Sequence, residues 1–129
     1  MTAYMIDIND FKEINDIYGH LAGDDILHET GKRLKEMFPG SRCYRYGGDE
    51  FLVLDTNDDA YEKETFVFPH SSIPGRDVLL CIGRAKGDPA DAAQLFQLIK
   101  DADADMYEVK RKTHSPEFGG HDRRRRNLK

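Results

Sequence analysis

Apolar positions along the chain change their spacing in an order that sketches a fold. Residues 3–8 (Ala3-Tyr4-Met5-Ile6-Asp7-Ile8) are almost continuously apolar, as in a central strand buried on both faces. The one charge, Asp7, stands near the strand's C-terminal end. Residues 9–16 predict a short helix closed at Tyr18-Gly19, where glycine makes a good C-cap. Gly23-Asp24 opens a longer helix. Its Ile26, Leu27, Leu34, Met37 and Phe38 fall on one face at helical spacing, and Pro39-Gly40 ends it. Strand-like runs near 42–47 and 50–55 flank a pair of glycines, which predicts a β-hairpin. Thr56-Asn57-Asp58-Asp59 reads as a turn or helix cap. Pro69 and Pro74-Gly75 exclude a long helix from 60–75, leaving at most a short turn and loop. Val78-Leu79-Leu80-Cys81-Ile82 is another buried strand. Asp88-Pro89 starts a last helix with Ala92, Leu95, Phe96, Ile99, Ala102, Met106 and Tyr107 on its apolar face.

The order β-α-α-β-β-(α)-β-α, with a hairpin in the middle, belongs to an α+β fold of the ferredoxin-like or polymerase-palm kind. Helices are expected on one face of the sheet and acids at one edge. A length of 129 residues fits one domain, here residues 1–112, with a polar, flexible basic tail over 113–129. That is enough chain for a core without disulfide or metal staples, although a 39% hydrophobic share makes the core modest. No apolar run approaches the ~20 residues of a membrane span, and the N-terminus lacks signal-peptide grammar. Cys43 and Cys81 fall inside strands as reduced core thiols, so a cytoplasmic location is expected.

Charge is divided unevenly. Residues 111–129 hold seven Lys/Arg and two acids, a net +5, so the remaining residues carry −10 of the total −5. An acidic body is a poor partner for duplex nucleic acid, and no specific nucleic-acid binding is expected. The arginines at 123–126 suit a solvated tail.

The candidate chemistry lies where strand ends converge. Asp7 closes the first strand, and Asp49 and Glu50 follow the hairpin glycines, Gly47 and Gly48. Alone, those glycines and acids suit a solvated turn. If the two strands are neighbours, the carboxylates meet and repel, and a divalent cation would relieve them. Oxygen-only ligands favour Mg²⁺ or Mn²⁺. Lys12 and Lys110 are candidate phosphate clamps, and amides in the turn after Asp7 would face phosphates as well. Phe11 and Ile14 read as core-facing. His20 reads as a hydrogen-bonding structural histidine rather than a catalyst.

The run from Asp7 to His20 (Asp7-Ile8-Asn9-Asp10-Phe11-Lys12-Glu13-Ile14-Asn15-Asp16-Ile17-Tyr18-Gly19-His20), then Gly23-Asp24, then Gly47-Gly48-Asp49-Glu50-Phe51, resembles the GGDEF family of diguanylate cyclase domains. Cys81-Ile82-Gly83 is similar to that family's late strand motif, and Ala102-Asp103 through Met106-Tyr107 and Lys110 to its final helix. The resemblance runs from about Ala3 to Lys112. It implies condensation of two GTP into cyclic di-GMP with release of pyrophosphate, in a homodimer whose subunits each bind one GTP. It implies Asp7, the Ile8 carbonyl and Asp49 as metal ligands, with Asp49, Glu50 and Lys12 in the catalytic group and Glu50 beside the ribose. Asn15 and Asp24 would hold the guanine edge, an amide and a carboxylate matching O6 and the N1/N2 donors. Gly47 and Gly48 would admit the α-phosphate, and Lys12 and Lys110 would reach the β- and γ-phosphates. Phe11 joins the substrate-binding set.

The sequence also departs from the family pattern. It starts at the first strand, without the preceding helix and turn or an upstream sensory module, both of which the family leads one to expect. Asn9 replaces the second acid of the usual Asp-x-Asp. Thr113-His114-Ser115 stands where Gly-Arg-Asn is usual, and the middle helix is reduced. The product-inhibition motif Arg-x-x-Asp is missing, its places taken by Phe38 and Ser41. These departures support the alternative of a catalytically weak or inactive GTP-binding module, or of a structural remnant.

Overall fold

In the computed structural model, which describes residues 1–57 and 61–113, eight elements follow one another. They are β1 (Thr2–Ile8), α1 (Phe11–Tyr18), α2 (His20–Met37), β2 (Arg42–Arg45), β3 (Glu50–Asp55), β4 (Thr65–Pro69), β5 (Asp77–Lys86) and α3 (Ala92–Thr113). The strands form one sheet in the order β2-β3-β1-β5-β4, and each neighbouring pair is antiparallel. β1 occupies the centre and all seven of its residues are buried.

Alternation along β1 explains the layering. Tyr4, Ile6 and Ile8 point to one face and pack with Ile14 of α1 and Ile26, Leu34 and Phe38 of α2 and its end. Ala3 and Met5 point to the other face and pack with Leu98, Ala102, Met106 and Val109 of α3. Helices therefore cover both faces, not one as the element order suggested. A strand apolar at successive positions needs cover on both sides, and a one-sided arrangement would leave Ala3 and Met5 in water. Neither cysteine is in a disulfide, Cys81 being buried and Cys43 partly so, as their strand settings predicted.

Three expectations change in detail. The stretch between β3 and β5 contains a strand rather than a turn and loop or a reduced helix. Thr65–Pro69 pairs with β5 at the edge of the sheet, where the N–H that proline lacks breaks no second ladder. Phe68 and Ile73 are completely covered there and do the packing that a helix would have done. Second, α2 begins at His20, so Gly23-Asp24 lies inside it. Gly19 alone separates the helices, with φ 96°. Third, α3 begins after Asp91, whose carboxylate accepts from Gln94 N at 2.8 Å while Gln94 Oε1 accepts from Ala90 N at 2.7 Å. Its buried face runs through Leu98, Ala102, Met106, Val109 and Lys110, and leaves Ala92 and Phe96 outside. Phe96 is 57% exposed, and the Lys100 ammonium lies 5.5 Å from its ring. Gly83 of β5 sets this rotation. A Cβ there would collide with the backbone of Met106 and stand 2.5 Å from the Ala102 carbonyl oxygen. Asp58, Asp59 and the tail from His114 onward lie outside the described residues.

Candidate functional site

Register brings the acids together. Asp7 stands opposite Glu50 of β3 and Cys81 of β5, and Ile8 N donates to the Asp49 carbonyl at 3.1 Å. Partners directly opposite share a face, so Asp7 and Glu50 both point toward α3. From α3, Lys110 reaches Asp7 Oδ2 in an ion pair whose side chains are 9% and 4% exposed. The other oxygen, Asp7 Oδ1, is buried and meets no donor among the described residues. Burial raises the Asp7 carboxyl to about 7; Lys110 opposes the rise, while the charge and hydrogen bond of neighbouring Asp49 add to it. Two carboxyl groups thus lie side by side at a buried strand end, with one cation and one acceptor oxygen left over.

The hairpin tip is held from its own strand. Arg45 donates to the Gly47 carbonyl at 3.2 Å through Nε and to the Gly48 carbonyl at 2.7 Å through Nη2. Tyr46 N and Gly47 N both donate to the Glu50 carbonyl, at 2.8 and 3.2 Å. Neither glycine has positive φ. Gly48 has open space where a Cβ would stand, whereas a Cβ on Gly47 would lie 3.0 Å from Glu50 Oε1. Between β1 and α1 the chain turns through Asn9 and Asp10. Asp10 sits in the left-handed region (φ 56°), which Asp and Asn enter more readily than other side chains.

On the opposite face of the sheet, α1, α2 and the hairpin enclose an open cleft of about 310 Å³. Six residues expected from sequence line it: Phe11, Lys12, Asn15, Asp24, Gly48 and Asp49. Phe11 is half-buried, and it both packs against the core and walls the cleft, so its two readings coexist. Lys12 is exposed and pairs with Asp16 at 3.3 Å. The cleft lining does not include Asp7, Ile8, Gly47, Glu50 or Lys110. Those lie at the acid end, and Asp49 belongs to both places. Lys110 is turned onto Asp7 rather than into the cleft.

His20, Leu27 and Arg45 also line the cleft and had not been placed there from sequence. The loop after β4 was expected only as turn and loop, with no role at the site, yet it braces the cleft from behind. Ser72 Oγ donates to Asp25 at 3.0 Å, Arg76 to Glu13 at 2.6 Å, and Ile73 is fully buried between those contacts. Only Arg45 carried a local signal, since alternation from Phe51 across the hairpin puts it on the cleft side. Among the described residues no helix is long and apolar enough to cross a membrane.

The sequence pattern described as diguanylate cyclase, GGDEF domain, matches residues 1–116. A protein described as probable diguanylate cyclase DgcI of Escherichia coli K12 is 31% identical over 111 residues, 83% of this chain and 25% of its own length. Diguanylate cyclase A of Treponema denticola is 46% identical over 61 residues, 46% of this chain and 16% of its own. Among solved structures, the active GGEEF domain of a diguanylate cyclase from Vibrio cholerae superposes with a TM-score of 0.69 at 25% identity, covering 86% of this chain and 76% of that one. The chain belongs to the GGDEF domain family, and it spans a quarter or less of the length of those two curated relatives.

Proposed function

We propose that this domain is a diguanylate cyclase, joining two GTP molecules into cyclic di-GMP with release of pyrophosphate. The observation that carries the proposal is the acid end, where buried Asp7 Oδ1 meets no donor among the described residues and Asp49 is the neighbouring carboxyl. That pair, with the Ile8 carbonyl, suits a hard divalent cation that keeps several waters and phosphate oxygens of its own. Among the described residues no group of three or more His, Cys, Asp or Glu could form a cage, and Mg²⁺ needs none. Bound there, Mg²⁺ or Mn²⁺ would neutralise phosphate charge and lower the pKa of a hydroxyl nucleophile.

The residues divide the remaining work. Asn15 and Asp24 hold the guanine edge in the cleft, with Phe11 as its apolar wall. Gly48, lacking a side chain, lets the α-phosphate approach the hairpin between cleft and acids. Glu50 lies beside the ribose. Lys12, at the cleft mouth, meets the outer phosphates, and Lys110 joins it when phosphate displaces it from Asp7. The 3′-hydroxyl oxygen of each GTP bonds to the α-phosphorus of the other, the bond to pyrophosphate breaks, and the hydroxyl proton leaves. One domain holds one nucleotide, so two copies must meet.

A second reading, a module that binds GTP without turnover, is favoured by one observation: Lys110 is engaged by Asp7. Incubation with GTP and Mg²⁺ at high protein concentration separates the two. Cyclic di-GMP that disappears in Asp49→Ala supports the cyclase. GTP binding by calorimetry with no product selects the module.

A further inference from the structure

We infer that Gly23 sets base discrimination in the cleft, by leaving the space in which the Asn15 amide is held; the inference rests on the cleft being the guanine site. Gly23 is buried inside α2, and its φ is not positive. It makes the ordinary helical bond, donating to the Gly19 carbonyl at 3.1 Å. Glycine at such a position costs a helix about 1 kcal/mol relative to alanine. Neither backbone freedom nor capping accounts for it.

The space around it does. A Cβ on Gly23 would collide with Asn15 Oδ1, stand 2.9 Å from Asn15 Cγ and lie 3.2 Å from Phe11 Cζ. The head of Asn15 therefore occupies the volume of the missing methyl group, between α1 and α2. Both Asn15 and Phe11 line the cleft, as does Asp24, the next residue along α2. With Oδ1 packed on the Gly23 side, the NH₂ end of the amide lies on the other.

That orientation matters for base identity. Guanine presents an acceptor at C6, where adenine presents an amine, and an NH₂ group can bond only to the first. The 2-amino and N1 donors of guanine call instead for a carboxylate, which Asp24 supplies. The two halves of recognition are thus supported separately. Asp24 is carried by the backbone of α2 alone, whereas Asn15 is carried by α1 and keeps its place through the gap at Gly23. A methyl group at residue 23 would push the Asn15 amide away and leave Asp24 where it is.

The test uses the full chain and the 3′-deoxy forms of GTP, ATP and ITP, which lack the attacking hydroxyl, with binding read by calorimetry. In Gly23→Ala, the preference for the guanine over the adenine nucleotide should fall by roughly ten- to a hundredfold. The preference for guanine over hypoxanthine, which differ only in the 2-amino group, should change by less than about threefold. The double variant Asn15→Ala with Gly23→Ala should discriminate no worse than Asn15→Ala alone, because the colliding atoms are gone. An unchanged guanine-over-adenine preference in Gly23→Ala overturns the inference. So does an equal fall in both preferences, or losses that add in the double variant. Should Gly23→Ala fail to fold, melting of the double variant at the temperature of Asn15→Ala supports the collision with Asn15, and a double variant that stays unfolded overturns it. A wild-type protein with no guanine preference overturns the base-site reading as well. A wild-type preference that survives in Gly23→Ala overturns this inference alone.

Discussion

The acid end and the cleft lie on opposite faces of the same strands and are built by opposite means. At the acid end, Asp7 and Lys110 are buried and locked to each other, on a strand covered from both sides. In the cleft, Lys12, Asp24, His20 and Arg45 are exposed, and only Leu27 is buried among its lining side chains. Chemistry on phosphate needs fixed charges in a dry place, because fields are strong there and cost no reorganisation. Under the proposed cyclase reading, base recognition needs entry and exit, which suits cleft residues that stand on a surface stiffened from behind. Asp49 and Gly48 at the hairpin tip connect the two regions.

The sharpest way to break this division is at the connection. Asp49→Ala should lower cyclic di-GMP formation by at least about a hundredfold while leaving GTP affinity in metal-free buffer nearly unchanged. Product measured by chromatography beside calorimetric binding checks both halves, and a parallel loss of binding would merge the two regions into one.

Removing the locking cation comes next. Lys110→Ala leaves Asp7 buried without its ion-pair partner and should cost about 3 kcal/mol in urea unfolding at neutral pH. Lys12→Ala, at an exposed pair, should cost less than about 0.5 kcal/mol.

The brace behind the cleft should respond differently. Ile73→Ala empties a fully buried site and should destabilise by about 2–3 kcal/mol. It should also weaken GTP binding several-fold, since the loop ties Glu13 of α1 and Asp25 of α2. An effect on stability without one on affinity would limit the loop to packing.

The smallest and most specific effect is on pH. Burial raises Asp7 to about 7, against an ordinary value near 4. Between those values the folded domain holds a proton that the unfolded chain has lost. The stability tied to this group is therefore full below about pH 4 and is lost as pH rises through about 7. Thermal melting in metal-free buffer from pH 4.5 to 8 should show that decline, and Asp7→Asn should flatten it.

Much of the domain was legible because its signals are local. β1 announced itself by unbroken apolar character, β3 was bounded correctly by its hairpin, and the pairing of Asp7 with Glu50 followed once the two strands were neighbours. β4 was not legible. Its Pro69 and the nearby Pro74 read as breakers, and only the free edge of the sheet makes Pro69 acceptable. The face of α3 was misread for a related reason: periodicity allows several stripes, and contact with Gly83 selects one.

By itself, then, the sequence determined the strand and hairpin chemistry that delivers Asp7, Asp49 and Glu50, since those features depend on neighbours along the chain. Tertiary structure alone decided that helices cover both faces, that Lys110 closes on Asp7 across 103 residues, and that Gly23 makes room for Asn15. Those outcomes depend on which surfaces come within a few ångströms after folding, and excluded volume and buried charge act only at that range.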